Sequence, residues 1–124
     1  MDLLIEKTIN TPQVIFHSTS NEWIISGKSY PKEALAFYEP VLKWVDMCKS
    51  TEIENCNFQF RLEFFNTSSS KVLLDILIKL KEIMDKGKTR LSVKWFYEND
   101  DEDIKESGEM LMELARMPIE FVGY

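Results

Sequence analysis

The chain has 124 residues, 44% of them apolar and 29% charged, with only four Gly and four Pro. That is enough for one hydrophobic core, and it excludes both a disordered chain and a two-domain enzyme. Fifteen basic against twenty-one acidic side chains leave a formal charge of −6, so the surface is not built to attract phosphate backbones and no nucleic-acid partner is expected.

In chain order, residues 3–9 and 13–17 are short β-leaning runs separated by Asn10-Thr11-Pro12, and residues 22–27 make a third after Ser18-Thr19-Ser20-Asn21. Ser29-Tyr30-Pro31 predicts a helix start with proline at the first helical position, and Ala34, Phe37, Tyr38, Val41, Leu42 and Val45 recur at helical spacing behind it. Pro40 is expected to bend this helix toward Trp44 without ending it. Over residues 57–65 the period becomes two, with Phe58, Phe60, Leu62 and Phe64 on one side and Gln59, Arg61 and Glu63 on the other.

After Asn66-Thr67-Ser68-Ser69-Ser70 the density of Leu and Ile predicts a deeply packed helix to about Lys86, stopped by Gly87. Leu91, Val93, Trp95 and Tyr97 alternate with Ser92, Lys94 and Phe96 as a further strand. An acidic helix from about Asp101 to Arg116 follows, then a short strand over Pro118–Val122. The order β-β-β-α-β-α-β-α-β predicts a single α/β domain over residues 1–124. Its strands 57–65 and 91–97 should run parallel, with the helices mainly on one face of a mixed sheet and the other face open.

Much familiar chemistry is missing. His17 is the sole histidine and the two cysteines, Cys48 and Cys56, are not at zinc-knuckle spacing, so no metal centre is expected. There is no Gly-rich phosphate loop and no nucleophile elbow, and a Cys–His pair using His17 would lack any flanking signature. No cofactor and no catalytic residue follow from the sequence. The cysteines read as free thiols of a reducing compartment, and the six methionines as core filler. The opening Met1–Glu6 lacks a basic start, and no run approaches the roughly 18 apolar residues of a membrane span. A cytoplasmic protein with no membrane partner is the expectation.

Two stretches stand out. Thr67, Ser68, Ser69 and Ser70 place four consecutive hydroxyls where a strand hands over to a helix, although a single N-cap from Asn66, Thr67 or Ser68 would suffice. Lys71 in the first helical turn opposes the helix dipole unless an anion sits nearby. A phosphate on one of the hydroxyls is such an anion, adding about −1.5 to −2 charges that the amides and Lys71 can hold. Plain capping is the alternative.

The second stretch is acidic: residues 98–113 hold eight acids and one base, a net −7, so the rest of the chain sums to +1. If the two later strands are parallel neighbours, Asp100, Asp101, Glu102 and Asp103 open on the same sheet edge as the hydroxyls. There they can repel a phosphate or share a magnesium ion with it; capping of the acidic helix is the alternative. A third stretch, Ser26-Gly27-Lys28-Ser29-Tyr30-Pro31, is read as structural, with Gly27 relaxing the backbone.

The motifs Gly27-Lys28-Ser29-Tyr30-Pro31, Phe64-Phe65-Asn66-Thr67-Ser68-Ser69-Ser70-Lys71 and Trp95-Phe96-Tyr97-Glu98-Asn99-Asp100-Asp101-Glu102-Asp103, in that order and with Thr11-Pro12 before them, resemble the SiaC family of bacterial regulatory phosphoproteins over nearly the whole chain. The resemblance implies a fold like the STAS domains of anti-sigma-factor antagonists. It also implies a non-enzymatic partner switch in cyclic di-GMP signalling. A serine/threonine kinase phosphorylates the protein, a metal-dependent phosphatase reverses this, and the unmodified form binds and activates a diguanylate cyclase.

The matching phosphoacceptor is Thr67, with Ser68 as the alternative. Asn66, Ser68, Ser69, Ser70, Lys71, Tyr97, Asp100, Asp101, Glu102 and Asp103 are then expected near the phosphate or the partner. Lys32 and Asn99 stand where relatives should carry acids, which bears on the choice of partner. Two other readings stay open. One is a phosphorylation-independent adaptor using the polar sheet face (Gln59, Arg61, Glu63, Lys94, Phe96). The other is a small magnesium-dependent hydrolase built on Asp100, Asp101, Glu102 and Asp103.

Overall fold

Alternation of large apolar and polar side chains makes β4 (Asn55–Phe65) the longest strand: Cys56, Phe58, Phe60 and Leu62 are buried, while Asn57, Arg61 and Glu63 face solvent. The computed structural model describes residues 2–48, 55–87 and 89–124. Among them, β4 lies inside a six-stranded sheet of order β1-β2-β3-β4-β5-β6, with β1 (Leu3–Ile5), β2 (Gln13–His17), β3 (Glu22–Ser29), β5 (Arg90–Tyr97) and β6 (Glu120–Gly123). The first three strands pair antiparallel, and β3 to β6 are all parallel. The helices α1 (Ala34–Cys48), α2 (Thr67–Asp85) and α3 (Glu102–Ala115) are the crossovers of the parallel half, with α2 packed between the other two.

One buried row of aromatics crosses four strands. Phe16 stacks on Trp23 at 4.5 Å between ring centroids, Trp23 on Phe58 at 5.3 Å, Phe58 on Phe60 at 5.1 Å, and Phe60 meets Trp95 at 5.5 Å. Three of these contacts join register partners on adjacent strands, so the row also pins the strand alignment. Trp95 then reaches α3, where its indole N–H donates to the Ile104 carbonyl at 3.1 Å. That bond joins the sheet to the acidic helix, beside the packing of Ile104, Leu111 and Ala115 in the core.

Element order and parallel pairing follow the sequence; several boundaries do not. β1 stops at Ile5 because Thr8 and Thr11 close a turn, the Thr8 Oγ1 accepting from the amides of Asn10 and Thr11. Proline does not open α1. Instead β3 continues to Ser29 through a register shift between Gly27, at φ +108°, and Lys28, and the helix begins at Ala34. Pro40 sits inside α1 without ending it. α2 ends as expected, with Gly87 at φ +74° donating its N–H to the Met84 carbonyl. The last strand falls at Glu120–Gly123 rather than from Pro118.

The methionines are not uniformly core. Met117 is buried, but Met47 and Met110 are exposed, and Met1 lies outside the described residues. No helix among the described residues is long and apolar enough to cross a membrane.

Candidate functional site

Because β3, β4 and β5 run parallel, their carboxyl ends share one edge of the sheet, and each leads there into a helix: residues 30–33 into α1, Asn66 into α2, and residues 98–101 into α3. Three stretches far apart in sequence are thereby gathered at one end of the domain.

The hydroxyl run is not a loop but the first turn of α2 itself. Asn66 is the N-cap, with extended backbone at φ −84° and ψ 175°, and its side-chain oxygen accepts from the Ser69 amide at 2.9 Å. With that amide capped, the Ser70 amide bonds the Asn66 carbonyl at 3.0 Å, and the amides of Thr67 and Ser68 have no acceptor among the described residues. Thr67 is the first helical residue, exposed, and its hydroxyl is likewise uncommitted among those residues. Lys71 lies one turn further along the same face, exposed and paired with no carboxylate among them. The cap is Asn66, so Thr67 and Ser68 are spare.

Ser69 differs from its neighbours. Expected to face a phosphate or a partner, it points inward and is wholly buried. Its Oγ lies 2.8 Å from the Ser29 Oγ and donates to the Ser29 carbonyl at 3.2 Å, and the Ser29 Oγ lies 2.6 Å from the hydroxyl of Tyr38 on α1. One assignment alone satisfies all three protons in these contacts: Tyr38 donates to Ser29, Ser29 to Ser69, and Ser69 to the Ser29 carbonyl. Burial pushes the Tyr38 phenol up to about 12, opposed by its bond to Ser29, so the donor stays protonated. The Ser26–Pro31 stretch is thus joined to the hydroxyl run through Ser29. Sequence reading missed Ser29 and Tyr38 here because nothing local distinguishes a serine bonded across the fold.

Two grooves flank the start of α2. One of about 630 Å³ lies against α1 and is lined by Ala34, Leu35, Ser68, Lys71 and Val72; the other, of about 310 Å³, lies against α3 and is lined by Phe65, Ser70, Asp103, Glu106 and Met110. Of the predicted acids, Asp103 alone shares a groove with a residue of the hydroxyl run. Asp100, Asp101 and Glu102 line a neighbouring concavity with Glu98, and Asp103 lines both. Asp101 is the N-cap of α3, its carboxylate accepting from the Ile104 amide at 3.1 Å. Tyr97 is half-buried against α3 with the Lys105 ammonium 5.6 Å from its ring centroid. The exposed Met110 and Leu35 were not singled out by periodicity, since an apolar residue on a groove wall has the same spacing as one in the core.

The rival constellations are less complete. Among the described residues no three Asp, Glu, Cys or His groups converge as a metal site. Cys48 and Cys56 are free thiols, raised by burial, Cys56 to about 12, the opposite of an activated nucleophile. On the open sheet face the Arg61 guanidinium sits 3.8 Å from the centroid of the Phe96 ring and its Nε–H donates to Gln59 at 3.0 Å.

The whole molecule has solved counterparts. Apo-SiaC from Pseudomonas aeruginosa superimposes with a TM-score of 0.87 at 28% identity, covering 98% of both chains. A chain in the crystal structure of the diguanylate cyclase SiaD with its activator SiaC, from the same organism, matches with a TM-score of 0.91 at 27% identity over 99% of this chain and 100% of that one. An uncharacterised protein of Pseudomonas aeruginosa strain UCBPP-PA14 is 29% identical over 117 residues, 94% of this chain and 92% of its own length. The family model of SiaC family regulatory phosphoproteins matches residues 5–124, which include all three turns of the shared sheet edge. With the Asn66-capped hydroxyl turn, its buried serine and the acidic start of α3 all inside that match, this chain belongs to the SiaC family of regulatory phosphoproteins.

Proposed function

We propose that this protein is a non-enzymatic cytoplasmic switch whose unphosphorylated form docks on and activates a diguanylate cyclase, and that phosphorylation of Thr67 ends the interaction. The observation that carries this reading is the exposed Thr67 hydroxyl at the first position of α2, one turn from Lys71, both without a polar partner among the described residues. A solved relative is described as the activator of a diguanylate cyclase. That supports the choice of target.

In the modifying step a serine/threonine kinase transfers the terminal phosphoryl group of a nucleoside triphosphate to the Thr67 Oγ. The new P–O bond forms as the bond to the diphosphate breaks, and the hydroxyl proton passes to a base of the kinase. A metal-dependent phosphatase returns the hydroxyl with water as co-reactant, releasing inorganic phosphate. The bound phosphate meets the free amides of Thr67 and Ser68 and the Lys71 ammonium, so it is held on the surface rather than expelled. It adds charge between the two grooves that a partner must cover. Desolvating that charge opposes docking.

The test is partner titration with wild type, Thr67→Ala and Thr67→Glu, using SiaD from Pseudomonas aeruginosa as the first cyclase. Thr67→Ala should bind like wild type. Thr67→Glu should lose about 30- to 1,000-fold in affinity, the equivalent of about 2 to 4 kcal/mol at a hot spot. Equal binding by all three defeats the proposal.

A further inference from the structure

Asn66, Thr67, Ser68, Ser69 and Ser70 are five consecutive residues of good N-capping type, so local energetics leave the start of α2 nearly degenerate. A start moved one or two residues later would leave Thr67 outside the helix, its backbone and hydroxyl free to take another direction, while Val72, Leu73, Ile76 and Leu77 keep the rest of α2 in place. The degeneracy is broken outside the run. Ser69, on the buried face of α2 with Val72 and Leu73, bonds Ser29 and enters the buried hydroxyl chain to Tyr38, while Asn66 caps its amide.

We infer that the Tyr38–Ser29–Ser69 chain anchors the first turn of α2 so that the helix starts at Asn66, and thereby selects Thr67, among four adjacent hydroxyls, as the phosphoacceptor. The inference rests on the reading of Thr67 as the modified residue. Ser69, Ser29 and Tyr38 act as positioning residues. With Ser69 held inward, Thr67 lies about 200° away and faces solvent, while Ser68 and Ser70 turn toward the grooves on either side.

Ser69→Ala removes one end of the chain, and Tyr38→Phe removes the donor at the other end while keeping the ring packed. Val45→Ala serves as a control, emptying core volume elsewhere. Amide hydrogen exchange over residues 67–72 should quicken about tenfold in both hydroxyl variants, the factor that one net hydrogen bond supplies, and remain at the wild-type rate in Val45→Ala. Phosphosite mapping by mass spectrometry, on each protein purified from its own cells, should find the phosphate on Thr67 in wild type and in Val45→Ala. In the hydroxyl variants part of it should move to Ser68 or Ser70. Phosphate confined to Thr67 at wild-type occupancy in Ser69→Ala and Tyr38→Phe overturns the inference and leaves the Thr67 switch standing. A wild-type protein with no phosphate on Thr67 overturns both.

Discussion

The side chains of Ser29 and Ser69, forty positions apart, place their hydroxyl oxygens 2.8 Å from each other in the interior, joining the end of β3 to the first turn of α2. Removing either one strands a buried donor: Tyr38 loses its acceptor in Ser29→Ala, and Ser29 loses its acceptor in Ser69→Ala. Each single variant should lose about 1–3 kcal/mol of stability in urea unfolding. The double variant should lose less than the two together, with a coupling of about 0.5–3 kcal/mol. Additive losses would show that the two hydroxyls do not act as one unit.

Asp101 separates the capping role of the acidic turn from a metal role. Its carboxylate accepts from the Ile104 amide, and Asn caps as well as Asp, so Asp101→Asn should melt like wild type while Asp101→Ala loses about 1 kcal/mol. Added magnesium should leave all three melting curves in place. A magnesium-dependent rise in wild type that Asp101→Asn abolishes would favour the hydrolase reading.

Gly108 in α3 leaves room for the Trp95 indole: a Cβ built there would lie 2.6 Å from the Trp95 Cε2. The ring is buried at the end of the aromatic row and hydrogen-bonded to Ile104, so it has little freedom to yield. Gly108→Ala should therefore cost about 1–3 kcal/mol in chemical denaturation, although alanine is the better helix former by about 1 kcal/mol. Tryptophan fluorescence should report the displaced ring. An unchanged or raised stability would mean that α3 can slide on the sheet.

Alkaline pH should weaken the fold in a defined window. Burial pushes the Tyr38 phenol from 10.0 to about 12 and the Cys56 thiol from 9.0 to about 12. Both groups lose a proton to become anions, and the unfolded chain gives up that proton first. Above the unfolded values the unfolded state therefore binds fewer protons, and stability falls as pH rises, at up to about 1.4 kcal/mol per pH unit for each group. Below pH 9 the contribution of both is complete. Unfolding midpoints measured up to pH 12 should drop, and Tyr38→Phe should remove the part of the slope that begins near pH 10. Parallel slopes in wild type and Tyr38→Phe would mean that the phenol titrates normally.

What the sequence determined by itself was everything carried by near neighbours. The two-residue alternation of Phe58, Phe60 and Leu62 set the face of β4, Gly87 ended α2, and the acids around Asp101 marked the start of α3. These signals are local: a side chain's face depends on its spacing, and a cap on groups within one turn. The run from Asn66 to Ser70 announced a helix start but not which hydroxyl faces water. The position of Pro31 suggested a helix that in fact waits until Ala34.

Tertiary structure decided those points. It turned Ser69 inward to Ser29 and Tyr38, left Thr67 outside, and placed Met110 and Phe65 in one groove with Ser70 and Asp103. Each of these depends on contacts between segments that only the parallel pairing of β3, β4 and β5 brings to one edge, and the free energy of a buried hydroxyl is set by the partner it finds there.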